Sequence, residues 1–355
     1  MEPRDAEKKV LMDEKSPTPL THRSRIPPPK RSNTPLIVGI IVLIIFLIIG
    51  VIIFFLLRGT DTESSKSGNQ KSGSAKISPT PSLYQLVTIE IKKQQASLSA
   101  IENDIKELDS VFKYESVKFS DILTATAPQT AEWEAQKIDI AKAQAELEIV
   151  LRISSLNKLT AKINSTRKLS SIQKSVLLSE VNAHIAYLTS LKQTVAKETN
   201  FQALVGLANT ISSDAFKSYA VIVPKVSIVV ISDKVNVLND SFISLANKLI
   251  QKTEELRSSK KDVTSVQKTL GHMLFLMGDA ANRAETAVVI VFPLTPEGYP
   301  KNKSILLDAK SRLQKSSKNL KTASMDEQKI VRSLSAIESG RSQTNFFQFF
   351  QLTPQ

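Results

Sequence analysis

From residue 83 onward, apolar residues recur every three or four positions. Val87, Ile91, Leu98, Ile101, Ile105, Leu108 and Phe112 form one line, with Gln94 its single polar member. That spacing is one face of an α-helix. A break follows at residues 125–129, where Pro128 can open a new helix. The next helix is expected over residues 130–165. Trp133, Ile140 and Leu147 stand seven apart, and Ile149, Leu156 and Ile163 continue on a shifted seam. Such a shift is a stutter, or a change of packing partner.

Ser170 and Gln173 have capping-box spacing for a third helix. Its apolar face is Leu178, Val181, Ile185, Leu188, Leu191 and Val195, and Asn200 then caps a short helix containing Leu204 and Leu207. The stretch from Ala220 to Ser232, AVIVPKVSIVVIS, is ambiguous. Its β-branched residues favour a strand, while a central proline argues against one. Helical period resumes at Val235, Leu238, Phe242, Leu245, Leu249 and Leu256. We read a helix kinked or started near Pro224, with a strand as the alternative. A further helix spans about residues 262–291, through Val263, Val266, Leu270, Met273 and Met277. After the Pro/Gly-rich residues 292–300, a last long helix carries Leu306, Leu313, Leu320, Ile330, Leu334 and Ile337. The expected fold is all-α, an elongated antiparallel bundle of about five long helices with coiled-coil-like stripes.

Upstream the pattern is different. The run that begins at Leu36 and ends at Leu57, LIVGIIVLIIFLIIGVIIFFLL, is 22 residues without a charge. As a helix it covers about 33 Å, the depth of a bilayer core. It exceeds a cleaved signal's apolar region, and no small-x-small site follows it, so it reads as an uncleaved signal-anchor. Arg23, Arg25, Lys30 and Arg31 precede it, and Arg58 follows. That bias places the N-terminus in the cytoplasm and the remainder outside, a single-pass protein of the cell membrane. The expected organisation is a disordered basic tail (1–35), a transmembrane helix (36–57) and a Ser/Gly/Pro-rich linker (58–82). An extracytoplasmic helical bundle (83–339) and a Phe-rich C-terminal tail (340–355) follow.

Composition agrees with helices: ten glycines and 6% aromatics in 355 residues. Cysteine is absent, which excludes disulfides, thiol catalysis and Cys-based zinc sites. The net charge of +13 is spread along the chain. Its densest part is the last helix, where Lys301, Lys303, Lys310, Arg312, Lys315, Lys318 and Lys321 form a candidate polyanion-binding surface beside Asp308. Four phenylalanines, Phe346, Phe347, Phe349 and Phe350, make the C-terminal tail a candidate partner or membrane contact, or a segment that docks on the bundle end.

Candidate chemistry is sparse. His22, His184 and His272 lack neighbours at ligand spacing, and His184 is expected on a helix flank. No phosphate-binding glycine motif occurs. Ser-x-x-Lys, as at Ser155/Lys158, Ser171/Lys174 and Ser258/Lys261, recurs without its penicillin-binding partner motifs. Glu132, Glu134, Glu146 and Glu148 read as solvated charges beside Lys137 and Lys142. The chain is read as non-enzymatic, without cofactor, metal or small-molecule substrate.

Three segments, residues 167–195 (RKLSSIQKSVLLSEVNAHIAYLTSLKQTV), 217–238 (KSYAVIVPKVSIVVISDKVNVL) and 294–323 (LTPEGYPKNKSILLDAKSRLQKSSKNLKTA), carry a resemblance. With the element YAVIVPK at 219–225, they resemble uncharacterised single-pass, exported helical-bundle proteins of uncultured small-genome bacteria. The resemblance covers about residues 145–335. It implies an exported, membrane-tethered helical protein and carries over no functional residue. The function expected is a membrane-anchored scaffold or interaction protein of the cell envelope, with the bilayer and an envelope protein as partners. The alternatives are binding of nucleic acid or an acidic envelope polymer, or a subunit of a secretion- or pilus-type envelope machine.

Overall fold

The computed structural model describes residues 83–114 and 131–340. The expected tail, membrane span, linker and Phe-rich segment lie outside these residues. Among the described residues the fold is helical throughout, without a strand. The long helices are α1 (Leu83–Lys113), α2 (Ala131–Asn164), α3 (Ser171–Lys197), α5 (Phe216–Ser258), α6 (Thr264–Val291) and α7 (Lys301–Glu338), with a short α4 (Phe201–Thr210). Six helices of 27 to 43 residues therefore stand where about five were expected. The turn at 165–170 separates two full-length helices.

The ambiguous β-branched stretch is helix, inside α5, with Pro224 in its interior. Between Val221 and Val235 nearly every side chain is buried. This part of α5 is enclosed by α1, α2, α3 and the residues after α6. A helix wrapped on all sides has no polar face, so its sequence loses the 3.6-residue alternation. The second half of α5 has one apolar face again, Leu238, Phe242, Leu245, Leu249 and Leu256. There it packs with α1, α6 and α7.

Cross-helix bonds fix the directions. Lys321–Glu102 and Lys310–Asp109 pair α7 antiparallel to α1. Lys234–Asp104 and Ser241–Glu90 set α5 antiparallel to α1. Asn319–Asp279 and His272–Asp326 do the same for α6 and α7. The α6–α7 interface is built from Ala280, Ala284 and Ala287 facing Ala309, Ser316 and Ala323, all buried. Such small side chains let two helices approach closely, and Ser316 Oγ donates to the Ala280 carbonyl at 2.8 Å.

The connections are specified locally. Ser170 and Gln173 form the reciprocal capping box expected for α3. Ahead of it, buried Asp233 accepts the backbone N–H groups of Arg167, Lys168 and Leu169 at 2.6–3.2 Å. Asn200 caps α4 through Ala203 N–H. Two seams differ from expectation. On α2 the buried line is Ala141, Ala145, Glu148, Ile149, Arg152, Leu156, Leu159 and Ile163, so Ile140 and Leu147 are exposed. On α3 the line is Leu177, Val181, His184, Leu188, Leu191 and Val195, so His184 is buried rather than on a flank.

Candidate functional site

Three ionisable centres lie inside the bundle, none of them recognisable as buried from the sequence. Arg152 donates through Nε and Nη2 to Glu148 Oε1, at 3.0 and 2.7 Å, one helical turn away. Its Nη1 donates to the Ile211 carbonyl at 2.9 Å. Ile211 opens a π-helical turn, Ile211–Ala215, between α4 and α5. Widened turns of this kind disturb the regular helical bonding, and here the arginine takes up the carbonyl. The Tyr114 hydroxyl donates to the same Glu148 oxygen, and the Phe216 and Tyr219 rings lie 5.7 Å from the guanidinium. Burial, then the bond to Glu148, pushes the Tyr114 phenol up to about 12. Glu148 is thus an interior ion-pair partner, not a solvated charge.

Lys225, in the YAVIVPK element, is buried as well. Its ammonium donates to Glu180 Oε1 at 2.8 Å and to the Leu294 carbonyl at 3.0 Å, 5.5 Å from the Phe292 ring. It ties α3 and the α6–α7 connection to α5. Glu327 on α7 is the third centre. It is fully buried, and neither carboxyl oxygen has a hydrogen-bond partner among the described residues. Burial pushes its acid up to about 8, the Gln94 amide works against that rise, and Glu90 adds to it. Burial and then the Arg152 charge hold His184 down to about 4, so its imidazole is neutral near pH 7. Among the described residues no three His, Asp or Glu side chains gather as metal ligands.

The surface carries the other candidates. Of the seven basic residues singled out on α7, three are engaged. Lys310 pairs with Asp109 near the Phe112 ring, Arg312 with Asp308 at 2.9 Å, and Lys321 with Glu102 at 3.0 Å. Lys301, Lys303, Lys315 and Lys318 are exposed and make no ion pair among the described residues. The structure therefore divides that set: Lys310 and Lys321 tie α7 to α1, Arg312 pairs within α7, and the other four face solvent unpaired among the described residues.

On α2, Ile140, Leu147 and Leu151 are 40, 55 and 51% exposed. At seven- and four-residue spacing they share one helix line, an apolar seam beside the buried one. A residue pattern of small and charged side chains, Ala141, Ala145, Glu148 and Arg152, had disguised the true core line of this helix.

Between α1 and α5 runs a groove of about 450 Å³, lined by Glu90, Gln94, Ser97, Arg167, Leu238 and Ser241 among others. Two of its lysines are paired. Lys93 faces Glu90 at 3.8 Å, and Lys234 donates to Asp104 at 2.6 Å. Ser241 Oγ donates to Glu90 and accepts from Gln94 Nε2. Gln94 Oε1 has no donor.

Phe346, Phe347, Phe349 and Phe350 lie outside the described residues. Among the described residues no helix is long and apolar enough to cross a membrane, and the apolar run at 36–57 lies outside them. The chain matches no family model, no curated protein and no solved structure.

Proposed function

We propose that this chain is a membrane-anchored interaction scaffold of the cell envelope, with no catalytic role. The apolar run at 36–57 is its single span, the residues before it are cytoplasmic, and the helices stand outside as an elongated antiparallel bundle on a flexible linker. The observation that carries the reading is the seam of Ile140, Leu147 and Leu151 on α2. These are large apolar side chains at helical spacing, left in solvent by the chain's own packing. Exposed apolar stripes mark contact surfaces, and this one suits an amphipathic helix of a partner laid along α2. The interior charges support the same reading, because Arg152 and Lys225 bond to groups that join helices.

The test is photocrosslinking from Leu147 and Leu151 in the full chain in its own cells, with exposed Lys197 as the control. Discrete adducts from the two α2 positions, recovered with the membrane fraction, are expected. Recovery of the full chain without detergent, or adducts no stronger than at Lys197, would overturn the proposal.

The exposed, unpaired Lys301, Lys303, Lys315 and Lys318 favour a second reading, contact with a polyanion. With heparin as the probe, the detergent-solubilised chain should be retained at low salt and released as salt rises. Lys315→Glu with Lys318→Glu should weaken retention. Absence of retention by the parent chain at low salt ends this reading.

A further inference from the structure

We propose that two copies of this chain pair through the outer face of α6, antiparallel across a two-fold axis between Leu274 and Phe275. The first argument is exposure. Phe275 is 69% exposed and Leu274 41%, at the middle of a helix whose inner face packs on α5 and α7. Gly271 and Gly278 flank them, and all four share one helix face. A Cβ at either glycine would meet no packing neighbour within 4 Å. Glycine weakens a helix interior relative to alanine, and the chain's own packing does not call for it here. A second helix brought close does, because bare backbone admits it.

The second argument is register. Outward from the midpoint of 274 and 275 the face reads large then small in both directions. Antiparallel pairing about that midpoint sets Gly271 of one copy against Gly278 of the other, at both ends. The Leu274 and Phe275 side chains of the two copies then gather between these close approaches. A two-fold contact needs this self-complementarity, in which residue i meets j and j meets i.

The third argument is charge, which selects the direction. On this side of α6, Lys268 lies in the first half, and Asp279 and Glu285 lie in the second. Asp279 already accepts from Arg283 and Asn319. Lys268 and Glu285 are exposed and make no ion pair among the described residues. Parallel pairing would set like charge on like. Antiparallel pairing brings Lys268 level with residue 281 of the second copy, one turn from Glu285, and sets opposite ends of the helix dipoles together. The exposed line continues through Gln267 and Asn282, so residues 267–282 alone give about 24 Å of paired helix. The proposal rests on neither the α2 seam nor the membrane reading.

The chain has no cysteine, so introduced thiols report without background. Two full-length chains, one Lys268→Cys and one Asn282→Cys, are mixed in detergent and treated with a short bismaleimide. The mixture should give a covalent dimer about tenfold faster than either chain alone. Gly271→Leu with Gly278→Leu should abolish that dimer while the fold persists by circular dichroism, since both sites are open and leucine favours a helix over glycine. Phe275→Ser should raise the dissociation constant about thirtyfold, read by light scattering over a concentration series. Lys268→Cys chains that join each other as fast as they join Asn282→Cys chains would overturn the proposal. So would no covalent dimer from the mixture, or a dimer that survives the paired leucines. Adducts in the chain's own cells that join these positions only to a different protein would overturn it too, and would assign the face to that partner.

Discussion

At the scale of single residues, the interior charges define the most testable behaviour. Glu327 binds its proton up to about pH 8 when folded, against 4.5 for the ordinary side chain. Between those values the folded state holds a proton that the unfolded chain has released. Stability should therefore fall as pH rises through that window, by roughly 1.4 kcal/mol per pH unit, and level off above it. Glu327→Gln should remove the slope and raise the unfolding midpoint at pH 8–9, as read by denaturation at pH 5, 7 and 9. Arg152 belongs to a different class, a buried pair with both partners present. Arg152→Ala leaves Glu148 charged in the interior and should cost about 3–5 kcal/mol, whereas Arg152→Met with Glu148→Leu should recover much of it. Calorimetry on the three chains checks this. None of these roles was legible in advance. Glu148 and Arg152 stand one turn apart, as surface pairs do, and only the neighbouring Ile149 and Leu156 hinted that their line faces inward.

At the scale of elements, sequence patterns were readable wherever a helix keeps one wet face. The stripes of α1, α6 and α7, the capping box of α3 and the Asn200 cap all appear where the spacing placed them. Two elements resisted for opposite reasons. The first half of α5 is enclosed, so alternation vanishes and β-branched residues imitate a strand. On α2, two apolar lines run at seven-residue spacing; Ile149, Leu156 and Ile163 are buried, while Ile140 and Leu147 of the other are left outside. The turn before α3 depends on a residue far away in sequence. Asp233→Ala removes the acceptor of three backbone N–H groups and should cost about 3 kcal/mol. Faster amide exchange at residues 167–169 would accompany that loss.

At the scale of the whole molecule, low glycine, few aromatics and long periodic runs sufficed to read the described residues as all-helical. The candidate basic surface was only half legible, because which lysines face solvent depends on Asp109 and Glu102 arriving from α1. The enclosed part of α5 touches α1, α2, α3 and the residues after α6 and sets the order of opening. Its amides at 221–235 should exchange last of all, and only through global unfolding. Mass-resolved hydrogen exchange on the full chain checks this. Earlier exchange there than in α6 would contradict the central position of α5.

Glu338, the last residue of α7, accepts the Tyr84 hydroxyl at 2.7 Å, which places the first turn of α1 and the last turn of α7 side by side. A load applied between residues 83 and 340 would therefore peel rather than shear. Tension would meet the Tyr84–Glu338 contact first, then Glu102–Lys321, then Asp109–Lys310, one at a time. Each tie would bear the whole load alone before passing it to the next, so the bundle would open like a zip at low force, from its clasped end inward.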